Sequence, residues 1–139
     1  MQVTKLLYSL MIQPRRSPCP VSCTLDLIGD RWTLLVIRDM MFFKKQRFEE
    51  FLDSPEGIST NILANRLKLL EELGLAEKQL YSNHSRRMNY QLTDKGKSLR
   101  PVLKVITAWG LKHIADTQMP QRHLADGDHF TDKCKITEP

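Results

Sequence analysis

The stretch from Gly57 to Gly74, G-I-S-T-N-I-L-A-N-R-L-K-L-L-E-E-L-G, constrains the fold more than any other part of the sequence. It predicts one helix over residues 59–73, with Ser59 as its N-cap and Gly74 as the left-handed residue that ends many helices. At roughly 100° per residue, the large apolar side chains gather on one side. They are Ile62, Leu63, Leu67, Leu70 and Leu73. The chain must therefore bury one face of this helix against a core.

The opposite face of this helix has no large apolar group and no acid until the last turn. It carries small, amide and cationic side chains, which are Thr60 near the helix start, Asn61, Ala64, Asn65 and Lys68. Such side chains suit base edges and the phosphates beside them, whereas a plain solvated face is the alternative. Arg66 falls on the apolar side, so we expect it to form a structural ion pair or reach a phosphate.

A short helix precedes this stretch and a hairpin follows it. Residues 47–53 predict the short helix and D-S-P-E-G a turn, an order that is typical of a helix-turn-helix. Residues 75–81 and 87–92 predict two strands joined by the polar S-N-H-S-R, which together form a wing. Cationic side chains lie before and after this helix in the sequence, and they predict contacts with DNA phosphates. The alternative is that they are incidental surface charges. They are Lys44, Lys45 and Arg47 before the motif and His84, Arg86 and Arg87 at the hairpin tip.

Cys19 precedes a helix predicted over residues 20–28, because proline suits the first helical position. This N-cap place, beside two arginines, favours the reactive thiolate, whereas burial as a small hydrophobe is the alternative. Cys23 lies one turn further on, where a disulfide to Cys19 would distort the helix. We therefore expect a bond to the same residue of a second subunit, or to Cys134, and both Cys19 and Cys23 are candidate sensors.

Two further helices complete the prediction. Residues 31–41, capped by Asp30, are apolar nearly all round and belong at the centre of the core, with Arg38 and Asp39 on their one wet edge. A last long helix runs from a Thr93 cap to about residue 117 and has a kink at its proline near the start. Its apolar stripe predicts either a dimer interface or a roof over the domain's own core. The interface residues would be Leu99, Val102, Leu103, Ile106 and Trp109.

The length, composition and charge of the chain limit its number of domains, its partners and its location. The 139 residues carry a net charge of +5 and form one domain over 19–117, with an N-terminal arm (1–18) and a flexible tail (118–139). A basic balance favours polyanionic partners. No apolar run approaches the roughly 20 residues of a membrane span, and the N-terminus does not read as a signal peptide, so we expect a cytoplasmic protein. Three cysteines make no disulfide framework, and His123, His129 and Cys134 match no metal-ligand spacing, so no metal or cofactor is expected.

Seven sequence pieces, in order, resemble the HxlR-type winged helix-turn-helix regulators, which are relatives of the MarR group. The pieces cover about residues 19–110. They are C-P-V from Cys19, L-D-L-I-G-D-R-W-T-L-L-V-I-R-D from Leu25, R-F-E-E-F from Arg47, G-I-S-T-N-I-L-A-N-R-L from Gly57, G-L from Gly74, Y-Q-L-T-D-K-G from Tyr90 and W-G from Trp109.

The resemblance implies a homodimeric transcription regulator that binds double-stranded DNA through a recognition helix at 59–73 and a wing at 75–92. It also implies that Cys19 senses oxidants, quinones or aldehydes. Cys23 departs from the family pattern, as does Arg86, which stands where the family commonly has proline.

The sequence thus predicts a mainly α fold with a small β-hairpin wing (α+β), a winged helix-turn-helix whose terminal helices form a dimer interface. The expected function is that of a sequence-specific regulator on a pseudo-palindromic operator, switched by oxidation or electrophile modification of Cys19 or by a small-molecule effector. A winged helix that mediates protein–protein contacts is the alternative. The interpretation as a thiol enzyme that uses Cys19 with a histidine base is weak, because every histidine lies far along the chain from Cys19.

Overall fold

The computed structural model describes residues 15–80 and 87–118. Its elements are α1 (Pro20–Ile28), α2 (Thr33–Phe42), α3 (Phe48–Leu52), α4 (Thr60–Glu72), β1 (Ala76–Leu80), β2 (Met88–Leu92), α5 (Asp94–Lys97) and α6 (Arg100–His113). This order confirms the predicted fold class, mainly helical with one β-hairpin. Most of the predicted arm and nearly all of the predicted tail lie outside the described residues. No helix within them is both long and apolar enough to cross a membrane.

The core forms where α2, α3 and α4 meet. Each of these helices contributes at least one of the most deeply buried large side chains. They are Ile37 of α2, Phe51 of α3, and Leu63, Leu67 and Leu70 of α4. Leu103 of α6 closes the core from the other side. The near-continuous apolar sequence of α2 agrees with this central position.

The two ends of α4 are fixed by capping. Ser59 Oγ accepts a hydrogen bond from the backbone N–H of Ile62 at 3.3 Å, as predicted for an N-cap. At the other end, Gly74 has a φ of +70° and its N–H bonds to Glu71 O at 3.0 Å. The N–H of Leu75 bonds to Leu70 O at 2.8 Å, which completes a Schellman motif. The exposed face of α4 is therefore held in one orientation.

The start of α5 packs against the C-terminal end of α4. Thr93 caps α5, since its Oγ1 accepts from the N–H of Gly96 at 3.2 Å, and its own N–H bonds to Leu75 O at 3.1 Å. Lys95 Nζ donates to Leu73 O at 2.7 Å. A Cβ on Gly96 would lie only 2.0 Å from Leu75 O, so this approach requires glycine.

The prediction of one long last helix was wrong, because α5 and α6 are separate helices. Pro101 lacks the N–H that would bond to the carbonyl of Lys97, and its ring crowds that carbonyl, so the chain breaks between the two helices rather than kinking. The helix also ends at His113 rather than near Thr117. Thr117 Oγ1 instead donates to Gly110 O at 3.1 Å.

The wing is an antiparallel pair in which Ala76 faces Leu92 and Leu80 faces Met88. The connection between α2 and α3 runs beside β2, because the N–H of Tyr90 donates to Gln46 O at 2.8 Å. Residues 81–86, which join the strands, lie outside the described part of the chain, and with them His84 and Arg86.

Candidate nucleic-acid interface

The N-cap and outward face of α4 carry the six residues predicted to contact DNA from the recognition helix. Each of them is exposed, and they are Ser59, Thr60, Asn61, Ala64, Asn65 and Lys68. Leu63, Leu67 and Leu70 on the opposite face are at most 1% exposed. The helix therefore presents amide, small and cationic groups on a rigid, buried base.

A buried carboxylate positions the turn that leads into α4. Asp39 is only 3% exposed. Its Oδ2 accepts from Lys45 Nζ at 3.0 Å and from the Ser54 hydroxyl, and its Oδ1 accepts from Arg38 NH2 at 2.7 Å. The prediction that Arg38 and Asp39 form a wet edge was therefore wrong for Asp39, because these partners compensate the burial of its charge. No periodic pattern of residues indicates this cluster.

Arg38 connects this cluster to Glu56, the residue before Gly57 in the turn. Its guanidinium donates to both carboxylate oxygens of Glu56, at 2.6 and 3.1 Å. This hydrogen bond lowers the pKa of Glu56, outweighing the effect of burial. Lys45, predicted to contact phosphate, is 13% exposed along its side chain and donates to Asp39 and to Ser54 Oγ at 2.7 Å. We therefore assign Lys45 to the fold.

Arg66 links α4 to the start of α2, as the prediction of a structural ion pair requires. Its NH1 lies 3.3 Å from Asp30 Oδ1. Asp30 Oδ2 also accepts from the N–H groups of Trp32 and Thr33 at 3.0 and 3.1 Å, so it caps α2. Burial alone would raise the pKa of Asp30, but these hydrogen bonds, one from the Thr33 hydroxyl and the charge of Arg66 together lower it.

The remaining flanking cations occupy different settings. Lys44 and Arg87 are exposed. Arg47 is 43% exposed and its Nε lies 3.0 Å from Glu50 Oε1. Glu50 in turn accepts from the N–H of Gln46 at 2.8 Å. Burial would raise the pKa of Glu50, but the backbone hydrogen bonds and Arg47 outweigh it and lower it. Among the described flanking cations, Lys44 and Arg87 are thus the two that are classed as exposed.

Two helices expose apolar side chains that a lone protomer leaves uncovered. Of the five predicted interface residues, Leu103 is buried in the core and Leu99 packs against it, whereas the other three are 41–55% exposed. The exposed apolar residues of α6 are Val102, Val105, Ile106, Trp109 and Leu111, and those of α1 are Val21, Leu25 and Leu27. α1 buries only Ile28.

The two candidate sensor cysteines lie at the start of α1. Cys19 is its N-cap, as predicted, and it is exposed rather than buried. Cys23 is half-buried and its Sγ donates to Ser17 O at 3.3 Å. Arg16 pairs with Asp26 of the same helix through its Nε at 3.0 Å. This pairing offsets part of the positive potential that the sequence predicted beside Cys19.

A short helix, a turn, a longer helix with an exposed polar face and a hairpin define a winged helix-turn-helix. A sequence profile described as HxlR-like helix-turn-helix matches residues 27–118. The uncharacterized HTH-type transcriptional regulator MT3179 of Mycobacterium tuberculosis (strain CDC 1551 / Oshkosh) is 37% identical over 112 residues, 78% of this chain and 70% of that relative. The chain belongs to the HxlR family and is a helix-turn-helix transcriptional regulator.

Solved structures of redox-responsive proteins share this fold. The redox regulator HypR in its reduced form superposes with a TM-score of 0.61 at 31% identity, over 68% of this chain and 92% of HypR. The reduced form of the transcriptional regulator YodB from Bacillus subtilis has a TM-score of 0.58 at 30% identity, over 73% of this chain and 100% of YodB. The structure of YodB from Bacillus subtilis with bound quinone has a TM-score of 0.56 at 33% identity, over 68% of this chain and 99% of YodB.

We expect Asp30→Asn to lower the free energy of unfolding at pH 7 by roughly 0.5–1 kcal/mol, since asparagine can cap α2 but lacks the charge that faces Arg66. Because folding lowers the pKa of Asp30, its carboxylate adds stability above the unfolded value of about 3.9. This contribution is lost as the pH falls through the lower folded value. Urea denaturation across a pH series should therefore show the difference between wild type and variant closing at acid pH.

Glu49→Gln is the matched control, since it removes the same charge from a side chain that is 65% exposed. It should change the free energy of unfolding by less than about 0.5 kcal/mol at every pH. A difference between wild type and Asp30→Asn that stays constant down to about pH 3 would contradict the role assigned to the carboxylate.

Proposed function

We propose that the protein binds double-stranded DNA sequence-specifically as a homodimer, with α4 in the major groove of each half-site. The observation that carries this proposal is the outward face of α4, which exposes amide, small and cationic groups while its other face is buried. Asn61 or Asn65 can bind adenine through two hydrogen bonds, Ala64 can meet a thymine methyl group, and Lys68 can reach a phosphate.

A second copy of the chain is the partner that best fits the exposed apolar residues of α1 and α6. Trp109 is 55% exposed and Leu25 is 56% exposed. Several exposed large apolar side chains on one helix usually mark an interface. A two-fold dimer would bring two α4 helices to one side of the DNA. Its operator would be pseudo-palindromic, with half-sites about 34–36 Å or a multiple apart.

Thiol chemistry at Cys19 is the proposed switch. Cys19 is exposed at the first turn of α1, a helix that also carries part of the proposed interface. A disulfide to a second subunit or to Cys134, or addition of a quinone to the thiolate, would change how the α1 helices pack. The angle between the two α4 helices would change with it, and simultaneous contact with both half-sites would be lost. The redox regulator HypR and quinone-bound YodB, which share the fold, support this proposal.

The base-reading role predicts that Asn65→Ala weakens binding to the cognate operator by about 10–100-fold and changes binding to unrelated DNA little. Lys68→Ala should weaken binding to both duplexes alike and lower the slope of log affinity against log salt by about one. Fluorescence anisotropy with labelled duplexes at several salt concentrations measures both quantities.

Lys104→Ala is the control for lost positive charge, because Lys104 lies on α6 rather than on α4. It should leave both affinities within about twofold. An operator affinity that is indifferent to Asn65→Ala and has no steep salt dependence would instead support the alternative, a winged helix used for protein–protein contact.

The switch predicts that diamide changes the operator affinity of the wild type but not that of Cys19→Ser. Diamide takes two electrons from a pair of thiols, which join as a disulfide, so removal of the attacking thiolate prevents the step. Cys23→Ser serves as the matched control and should keep the response, because Cys23 is half-buried and bonded to Ser17 O. A Cys19→Ser variant that remains fully responsive to diamide and quinones would overturn the switch.

A further inference from the structure

A cavity of about 360 Å³ lies on the domain away from the residues of the proposed base-reading face. The C-terminal end of α2, the α2–α3 connection, β2 and the junction of α5 with α6 form its walls. Its volume falls within the roughly 300–1,000 Å³ of small-molecule sites. Neither the outward face of α4 nor Cys19 or Cys23 lines it, although Lys44 and Lys45, which the sequence predicted to contact phosphate, do so.

The lining of this cavity includes four cationic side chains. Lys44, Lys45, Lys97 and Arg100 contribute to it, and no acidic side chain does so among the residues that the structure describes. Lys45 is partly neutralised, since its Nζ lies 3.0 Å from Asp39 Oδ2. The Arg100 guanidinium is held over the Phe42 ring, 5.3 Å from its centroid. Lys44 and Lys97 are exposed at the rim. The cavity thus offers positive charge from three separate segments of the chain.

Apolar side chains also line the cavity, beside the polar Gln46 and Gln91, and they are called its floor below. Met40 and Met41 are 6% and 5% exposed, and Leu92 and the Tyr90 ring lie beside them in the lining. Thioether side chains adapt to the shape of an inserted group and make favourable contacts with aromatic rings. A bare inorganic ion would leave these apolar side chains exposed to water, whereas an ion with an apolar body would cover them.

The backbone at the rim is strained. Lys44 has a φ of +54°, and within the described part of the chain only Asp116 shares this left-handed conformation among the non-glycine residues. Such a residue costs about 1–3 kcal/mol and is retained most often at functional sites. Here the strained conformation holds Lys44 in the lining of the cavity.

From the cavity, the positive charge of its lining and its apolar floor, we infer that this is a binding site for a small organic anion that has a phosphate or carboxylate head and an apolar body. Lys44, Lys97 and Arg100 would receive the head, and Met40, Met41 and Leu92 the body. A DNA backbone phosphate is a weaker fit, because its sugar and neighbouring phosphates offer nothing apolar to fill the floor.

The position of the site gives the anion a structural consequence. It would tie the first residues of α6 to the connection that precedes the helix-turn-helix and to the wing strand. The relative position of the interface helix and the DNA-reading part would then depend on occupancy. This consequence rests on the proposed function, whereas binding of the anion itself does not.

Phenyl phosphate tests the inference directly, because it joins an anionic head to a ring. The full chain, with 13C-methyl-labelled methionine, reports on the cavity floor through the methyl signals of Met40 and Met41. Met40→Leu and Met41→Leu assign these signals, and Met88, which does not line the cavity, is an internal control. We expect saturable shifts of both signals, and an affinity at least about tenfold tighter than that of inorganic phosphate or phenol alone.

Lys97→Gln should weaken phenyl phosphate binding by about tenfold, because it removes one charged donor to the head. Lys104→Gln is the matched control on α6, and it should leave the affinity within about twofold. Lys97 lies outside the proposed DNA contacts, so failure of DNA binding would leave this result standing.

Three outcomes would overturn the inference. The first is no saturable shift of the Met40 and Met41 signals up to about 10 mM phenyl phosphate. The second is an affinity that is unchanged by Lys97→Gln. The third is a shift of these signals on addition of a random DNA duplex but not of phenyl phosphate, which would assign the cavity to a backbone phosphate.

Discussion

The buried carboxylate of Asp39 joins three parts of the chain that must keep fixed positions for α4 to present its outer face. Its oxygens hold Lys45 of the α2–α3 connection, Ser54 of the turn before α4, and Arg38, which reaches on to Glu56. Removal of one partner of a buried ion pair costs about 3–5 kcal/mol, against a total stability of roughly 5–15 kcal/mol for a domain of this kind. The geometry of the helix-turn-helix therefore depends on this cluster as well as on the apolar core.

A second ion pair connects the recognition helix to the part of the chain that carries the cysteines. Arg66 of α4 contacts Asp30, which caps α2 and follows α1 with one glycine between them. A change in the packing of α1 can therefore be transmitted to α4 through Asp30 and its contact with Arg66. The ends of α4 are fixed independently by Ser59 and by the Schellman motif at Gly74, so we expect such a change to move the helix as a unit.

Much of the fold could be predicted from local pattern. The period of the apolar residues placed α4, and the caps Ser59, Thr93 and Gly74 were each readable from residue type and position. Arg66 could be assigned to an ion pair because the helical wheel put a cation on the buried side. The hairpin could be predicted from the alternating side chains of its second strand and from the polar residues between the strands. The family resemblance added the expectation that Cys19 is a sensor.

Other features depend on tertiary contacts that pattern does not encode. Asp39 looked like a wet edge because its partners Lys45 and Ser54 come from later segments of the chain. The break before Pro101 could be suspected, but whether a proline kinks or ends a helix depends on what packs around it. The exposed apolar face of α1 was missed for a related reason, since the sequence did not show that only Ile28 of this helix reaches the core.

The measurement that tests the central claim most directly is a fluorescence titration of the reduced wild-type protein. Its own upstream intergenic DNA and a scrambled duplex of the same composition are compared at two salt concentrations. If the outer face of α4 reads bases, the intergenic duplex binds at least about 10³-fold more tightly than the scrambled one, and both affinities fall steeply with salt. Weak and equal binding to both duplexes, across a set of fragments that spans the intergenic region, would contradict the account.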